Sequence, residues 1–393
     1  MISELNQTPK ALRIHIGVFG DTNAGKSTFI NAVTGQEIAL TSPVAGTTTD
    51  PVFKPMELLP IGPVVFIDTA GLDDTSELGE IRVKKSLQQL DVCDAAVIVV
   101  NGENHNKITT DNYIKLVSDK KIPFMIVANE KNGTKLTADF GNMIFVCADL
   151  HNESDVEKIK ETLIALLKKR EADPPLTADL VNDGDTVLLV MPQDIQAPKG
   201  RLIMPQVQTI RDLLDNKCTV ISVIPQNLKA VLENLKNPPS LVITDSQIFK
   251  QVNEAIPDNI RLTSFSVLMA KIKGDIELFI KGAEALDSLS DGDRVLILES
   301  CSHHAMDDDI ARVKIPNLIR KYTEKNLVIE NVSGQNIKNN LSDYKLAVHC
   351  GGCMLSRKAM INRQHEFEQA GVPLTNFGVC IAYINGILKR VIY

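Results

Sequence analysis

Cysteine and histidine crowd two short stretches near the end of the chain, Cys301-Ser302-His303 and, further on, His349-Cys350-Gly351-Gly352-Cys353. Thiolates and imidazoles grouped in this way are the donor set of a zinc ion or an iron–sulfur cluster, if the fold brings the two stretches together. A second chemistry stands at the other end. Gly20-Asp21-Thr22-Asn23-Ala24-Gly25-Lys26-Ser27 has the G-x-x-x-x-G-K-S spacing of a phosphate-binding loop, with Thr28 following it. Its glycines allow a tight loop whose N–H groups face phosphate at a helix N-terminus. Lys26 is expected on the β- and γ-phosphates and the Ser27 hydroxyl on Mg²⁺.

Both constellations need strands to place them. From Ile14 to about Arg170 the apolar runs IHIGVFG, VVFIDTAG, AAVIVVNG, PFMIVANE and MIFVCA alternate with helical stretches, which predicts a parallel sheet covered by helices. The first run leads directly into the phosphate loop. Near the C-terminus RVLILES runs into Cys301 and KLAVHC into Cys350, each followed by a helical stretch, ARVKIPNLIRKYT and RKAMINRQHEFEQA. Ligands collect at the carboxyl ends of strands in open α/β sheets, so adjacent parallel strands would carry both halves of the Cys/His set to one centre. Between these regions, Asp173-Pro174-Pro175 reads as a linker after an amphipathic helix. The strands CTVISVI and SLVIT with PQVQTIRDLLD and PQNLKAVLENL then predict a smaller α/β domain. Asp183-Gly184-Asp185-Thr186-Val187-Leu188 is echoed at Asp291-Gly292-Asp293-Arg294-Val295-Leu296, an echo too short to establish duplication.

Composition bounds the function. At 393 residues more than one core is needed, and three domains are expected, 1–172, 173–274 and 275–393. A net charge of −7 without tryptophan provides neither a basic face nor stacking platforms for nucleic acid. No apolar run reaches membrane-spanning length and the start lacks a signal-peptide core, so a cytoplasmic protein is expected. Seven cysteines, an odd number, fit reduced thiols, with Cys93, Cys147, Cys218 and Cys380 expected to be small buried hydrophobes.

Asp68-Thr69-Ala70-Gly71 resembles the third motif of the GTPase superfamily, which implies Asp68 near Mg²⁺ and Gly71 at the γ-phosphate. Gly46-Thr47-Thr48-Thr49-Asp50 resembles switch I of the Era and TrmE branch, which implies Thr48 as a Mg²⁺ ligand. Asn23 matches the asparagine that helps hold K⁺ in potassium-activated members, and Leu72 stands where Ras-like proteins carry a catalytic glutamine. Asn129-Glu130-Lys131-Asn132 departs from the Asn-Lys-x-Asp expected for guanine. An amide at Asn132 offers guanine one acceptor and an unwanted donor, so weakened guanine selectivity is expected. Cys147-Ala148-Asp149 resembles the fifth motif, whose backbone touches the base.

Over essentially its whole length the chain resembles the HydF family, GTPase maturation factors of [FeFe]-hydrogenase. The resemblance is carried by the Cys/His motif and by DTAGLDDTSELGEIR, GRLIMPQVQTIRDLLD and LTSFSVLMAKIKGD. It implies a P-loop GTPase domain, a small α/β domain forming a homodimer and an α/β iron–sulfur domain. Cys301, Cys350 and Cys353 would hold a [4Fe–4S] cluster, with His303 or His349 a candidate for the fourth iron. Strand alternation points His349 and Cys350 in opposite directions, so at most one of the two histidines is expected to bind. The implied cargo is a transient diiron precursor made by two radical-SAM maturases, HydE and HydG, and passed to apo-[FeFe]-hydrogenase. The alternatives are a zinc-stabilised regulatory GTPase with a Cys₃His site and an Era-like RNA-binding GTPase, for which no basic C-terminal domain is present.

Overall fold

The computed structural model describes residues 10–35, 52–69, 71, 89–102, 105–130, 136, 140–170, 173–193, 200, 202–300, 310–334 and 340–393. Two compact units divide at Ala172 and Asp173, beside the paired prolines.

In the first unit, β1 (Ile14–Phe19), β2 (Val52–Leu58), β3 (Gly62–Asp68), β4 (Ala95–Asn101), β5 (Phe124–Asn129) and β6 (Phe145–Ala148) form a six-stranded sheet of order β2-β3-β1-β4-β5-β6. The five strands foreseen from apolar runs are mutually parallel. β2 is an unforeseen antiparallel edge strand paired with β3. Its sequence, VFKPMEL, carries Pro55 and alternates in exposure, as an edge strand does and a central one does not. Helices α1 (Lys26–Thr34), α2 (Lys107–Asp119) and α3 (Glu153–Lys168) cover the sheet. Both faces are therefore buried: Phe29, Phe66, Val97 and Leu163 pack on one, Phe19, Ile98, Tyr113 and Ile126 on the other. This explains why β4 reads as an unbroken apolar run. Asn152 caps α3 by accepting from the N–H groups of Ser154 and Asp155.

The second unit holds two four-stranded sheets of parallel strands. β7 (Thr186–Val190), β8 (Thr219–Val223), β9 (Leu241–Thr244) and β10 (Arg261–Ser264) carry α4 (Met204–Asp215), α5 (Leu228–Asn234), α6 (Phe249–Ala255) and α7 (Phe265–Lys273). α8 (Ile276–Glu284) leads to β11 (Arg294–Glu299), α9 (Ile315–Thr323), β12 (Val328–Ser333), β13 (Leu346–His349), α10 (Arg357–Gln369), β14 (Leu374–Asn376) and α11 (Phe377–Ile384). The strand orders, β10-β9-β7-β8 and β12-β11-β13-β14, are one plan: second, first, third, fourth.

The Asp-Gly-Asp echo marks equivalent turns in these two sheets. Gly184 and Gly292 stand at φ 83° and 85°. The Gly184 N–H donates to the Lys217 carbonyl and the Gly292 N–H to the Asn326 carbonyl. Each sheet closes on a matching sequence, Leu262-Thr263-Ser264-Phe265 or Leu374-Thr375-Asn376-Phe377, which differ only at Ser264 and Asn376, the residues capping the helix that follows. The two sheets thus repeat one α/β unit. They also cross over: Val391, after the second copy, bridges to Leu262 at the edge of β10, while α8, after the first, packs on β14. One apolar cluster runs through both, from Leu188 and Val242 to Leu296 and Ala347. Cys93, Cys218 and Cys380 are buried as expected, whereas Cys147, on the edge strand β6, is only half-buried. Among the described residues, no helix is long and apolar enough to cross a membrane.

Candidate nucleotide site and candidate cluster site

The carboxyl edge of the first sheet collects the nucleotide residues. β1 ends into the loop, and Gly25 caps α1 at φ 101°. A Cβ at Gly20 would meet the Val99 carbonyl oxygen at 2.1 Å, and one at Gly25 would meet Asn129 Nδ2 at 2.2 Å. Both glycines are required by close approach. Asn23 takes φ 62° at the exposed tip of the turn. Lys26 is buried and donates to the carbonyls of Gly20 and Asp21, each at 2.8 Å, so its ammonium lies on the loop it would share with phosphate.

Ser27 and Asp68, from elements 41 residues apart, meet: Ser27 Oγ donates to Asp68 Oδ2 at 2.7 Å. Burial raises the Asp68 carboxyl, opposed by the Ser27 hydrogen bond and the Lys26 charge. A half-buried carboxylate beside a hydroxyl is a hard oxygen pair that suits Mg²⁺. Gly71 is buried just beyond it, and Thr28 is half-buried on α1. On the base side, Asn129 and Ala148 lie in register on β5 and β6, as do Ala128 and Cys147. Asn129 Nδ2 donates to the Ala24 carbonyl at 3.3 Å, tying the base strand to the phosphate loop. Glu130, where the family pattern has lysine, turns aside to accept from the Leu136 N–H at 3.0 Å. Thr48 and Asn132 lie outside the described residues. Sequence reasoning missed two supports on α2: Tyr113 donates to the Gly20 carbonyl at 3.0 Å and Thr109 to Asp21 Oδ2 at 2.7 Å. A polar tip on the buried face of an amphipathic helix was the available signal.

In the third sheet β11 and β13 are adjacent and parallel, Leu298 beside His349. Ser300, the residue before Cys301, donates its N–H to Cys350 Sγ at 3.3 Å, and the Cys350 N–H donates to the Leu298 carbonyl at 2.8 Å. Cys301 and His303 themselves lie outside the described residues. Among the described residues no group of three or more metal-binding side chains comes together.

The donor chemistry nonetheless suits a thiophilic centre. Burial pushes the Cys350 thiol up, whereas the N–H groups of Ser300 and Gly352 favour its thiolate. Cys353 is held up by burial and by Cys350, with Lys273 acting the other way.

His349 is fully buried, and its Nε2 lies 2.8 Å from Arg363 Nη1. A guanidinium can only donate, so Nε2 accepts and Nδ1–H donates to the Cys350 carbonyl, 2.6 Å away. Both ring nitrogens are engaged in hydrogen bonds. Arg363 was missed in the sequence, although it sits on the buried face of α10 with Met360, Gln364 and Phe367, where an arginine is unusual.

Comparisons with known proteins identify the domains. Residues 15–130 match the 50S ribosome-binding GTPase family, residues 176–274 the hydrogen maturase F dimerization domain and residues 277–393 the hydrogen maturase F tetramerization domain. The region expected to hold the cluster is therefore one described by its role in assembly. The tRNA modification GTPase MnmE of Legionella pneumophila (strain Paris) is 38% identical over 123 residues, 31% of this chain and 27% of that protein. GTPase Der of Mycoplasmopsis pulmonis (strain UAB CTIP) is 34% identical over 119 residues, 29% of this chain and 27% of its own. The chain thus spans about a quarter of the length of these relatives. With a GTPase domain followed by both hydrogen maturase F domains in order, the chain belongs to the hydrogen maturase F (HydF) family.

Proposed function

We propose that this protein is a GTP-hydrolysing scaffold of [FeFe]-hydrogenase maturation. It carries a [4Fe–4S] cluster on Cys301, Cys350 and Cys353, receives a diiron precursor from HydE and HydG, and delivers it to the apo-hydrogenase. The observation that supports this most directly is the Ser300 N–H on Cys350 Sγ at 3.3 Å, between strand ends that are otherwise far apart in sequence. When bound, the cluster supplies an iron with an exchangeable ligand to which cargo can attach. The chain's own residues present thiolates, keep His349 off the metal through Arg363, and leave His303 or a small molecule for the fourth iron.

In the GTPase domain Lys26 neutralises phosphate charge, Ser27, Thr48 and Asp68 hold Mg²⁺, and Gly71 reads the γ-phosphate. Leu72 cannot orient water, so a K⁺ ion at Asn23 is assigned the charge compensation an arginine finger would give. Hydrolysis then times partner exchange rather than performing the metal chemistry. The domains are taken as 1–172, 173–274 and 275–393.

Anaerobically reconstituted protein should be brown and hold iron and sulfide, whereas a zinc site would be colourless. Cys350→Ser and Cys353→Ser should each lose the cluster while hydrolysing GTP at the wild-type rate. Stoichiometric iron and sulfide in both variants would remove the assignment.

A further inference from the structure

The helices closing the two repeated units match in sequence from Leu262 to Gly274 and from Leu374 to Gly386, with the same Leu, Thr, Phe, Val, Ala, Ile and Gly positions. Lys271 and Lys273 of α7 stand where α11 has Tyr383 and Asn385. Both lysines are buried, at 8% and 4% exposure, which an ammonium accepts only with partners. Lys271 is held by the Asp179 carboxylate, 2.6 Å from each oxygen. Lys273 reaches out of the dimerization segment: its Nζ donates to the Leu355 carbonyl at 2.8 Å. The Leu355 N–H in turn donates to the Gly352 carbonyl at 2.8 Å, closing the turn that bears Cys353. Arg357 of α10 crosses in the other direction, its Nη1 donating to the carbonyls of Lys271, Ile272 and Gly274 at 3.0 to 3.3 Å. Those are orphan carbonyls of a helix end, where a cation is favoured.

We propose that Lys273 is a positioning residue of the cluster site: through it the dimerization segment holds the Cys353 turn, with a buried positive charge on the Leu355 carbonyl two residues from Cys353. The proposal rests on the cluster reading above. A centre held by three thiolates is anionic, and a cation in a low-dielectric setting favours both its retention and its reduction. The joint also makes the cluster loop depend on the dimerization segment, because Lys273 and Arg357 tie the end of α7 to the chain just after Cys353.

The test compares full-length Lys273→Met and Lys273→Gln with Lys271→Met, which breaks the Asp179 pair on the same helix and leaves the loop untouched. In metal-free protein, maleimide labelling of Cys353, mapped by mass spectrometry and extrapolated to its high-pH plateau so that the lost charge does not slow it, should be faster in Lys273→Met and unchanged in Lys271→Met. After reconstitution, iron should pass to a chelator about tenfold faster in Lys273→Met, in the range seen when groups supporting a metal ligand are lost. The cluster potential should become more negative in both Lys273 variants. Labelling, iron release and potential all unchanged in folded Lys273→Met would overturn the proposal. If that variant does not fold, Lys273→Gln, which keeps a donor without the charge, decides it by its potential. Wild-type protein that takes up no iron would end the cluster reading, and the labelling comparison would still judge Lys273.

Discussion

Asn23 occupies φ 62°, a region asparagine enters more readily than other non-glycine residues, at the tip of the phosphate loop. If its amide holds K⁺, turnover should be faster in K⁺ than in Na⁺ at equal ionic strength. Asn23→Ala should erase that difference, and so should Asn23→Gly, which keeps the backbone freedom and drops only the amide. Equal wild-type rates in both salts would leave Asn23 as a turn residue. The base-reading residues allow a second test at this scale. Asn129 is anchored on Ala24, and Glu130 is committed to the Leu136 N–H, so the carboxylate in this motif is turned onto the backbone. Asn132→Asp should tighten GTP about tenfold relative to the xanthine nucleotide, the worth of one hydrogen bond to a charged group. Competition binding measures this, and sharp guanine preference in the wild type would mean that another group reads the base.

At the level of elements, α8, which follows the first repeat, covers the last strand of the second. Gly282 makes this possible, since a Cβ there would lie 2.1 Å from the Leu374 carbonyl oxygen and 2.5 Å from its carbon. Backbone on both sides cannot yield as a side chain could. Gly282→Ala is expected to destabilise the second unit by about 1–3 kcal/mol, the usual cost of overpacking, despite alanine's better helix propensity. Thermal unfolding checks the sign: a variant as stable as wild type would show that α8 can lift from β14 freely. The same logic explains the N-caps Ser264 and Asn376, which recur because each repeat must turn from strand to helix without an intervening loop.

For the molecule as a whole, the family domains at 176–274 and 277–393 are not separate cores. A single apolar cluster includes Leu188 of the first repeat and Leu296 of the second, both fully buried. The two repeats should therefore unfold together. Leu188→Ala and Leu296→Ala should each cost about 2–5 kcal/mol and lower the same calorimetric transition. Two transitions, each sensitive to only one substitution, would show independent domains.

The phosphate loop, the strand ends carrying Cys301 and Cys350, and the break at Asp173 were legible in the sequence, because each is written in neighbouring residues. Glycine spacing, an apolar run ending in a cysteine and paired prolines are local instructions to the backbone. Ser27 meeting Asp68, and Ser300 meeting Cys350, follow from parallel strand order and could be anticipated from it. The antiparallel strand β2, the Arg363 bond to His349, and the burial of Lys273 against Leu355 could not. These depend on pairings between residues with no periodic relation in the chain. The duplication lay between the two cases: six residues of echo were visible, but shared strand order and matching turn bonds exist only after folding. Local chemistry is encoded where it occurs, whereas the partner of a buried polar group is chosen by which distant surfaces the core brings together.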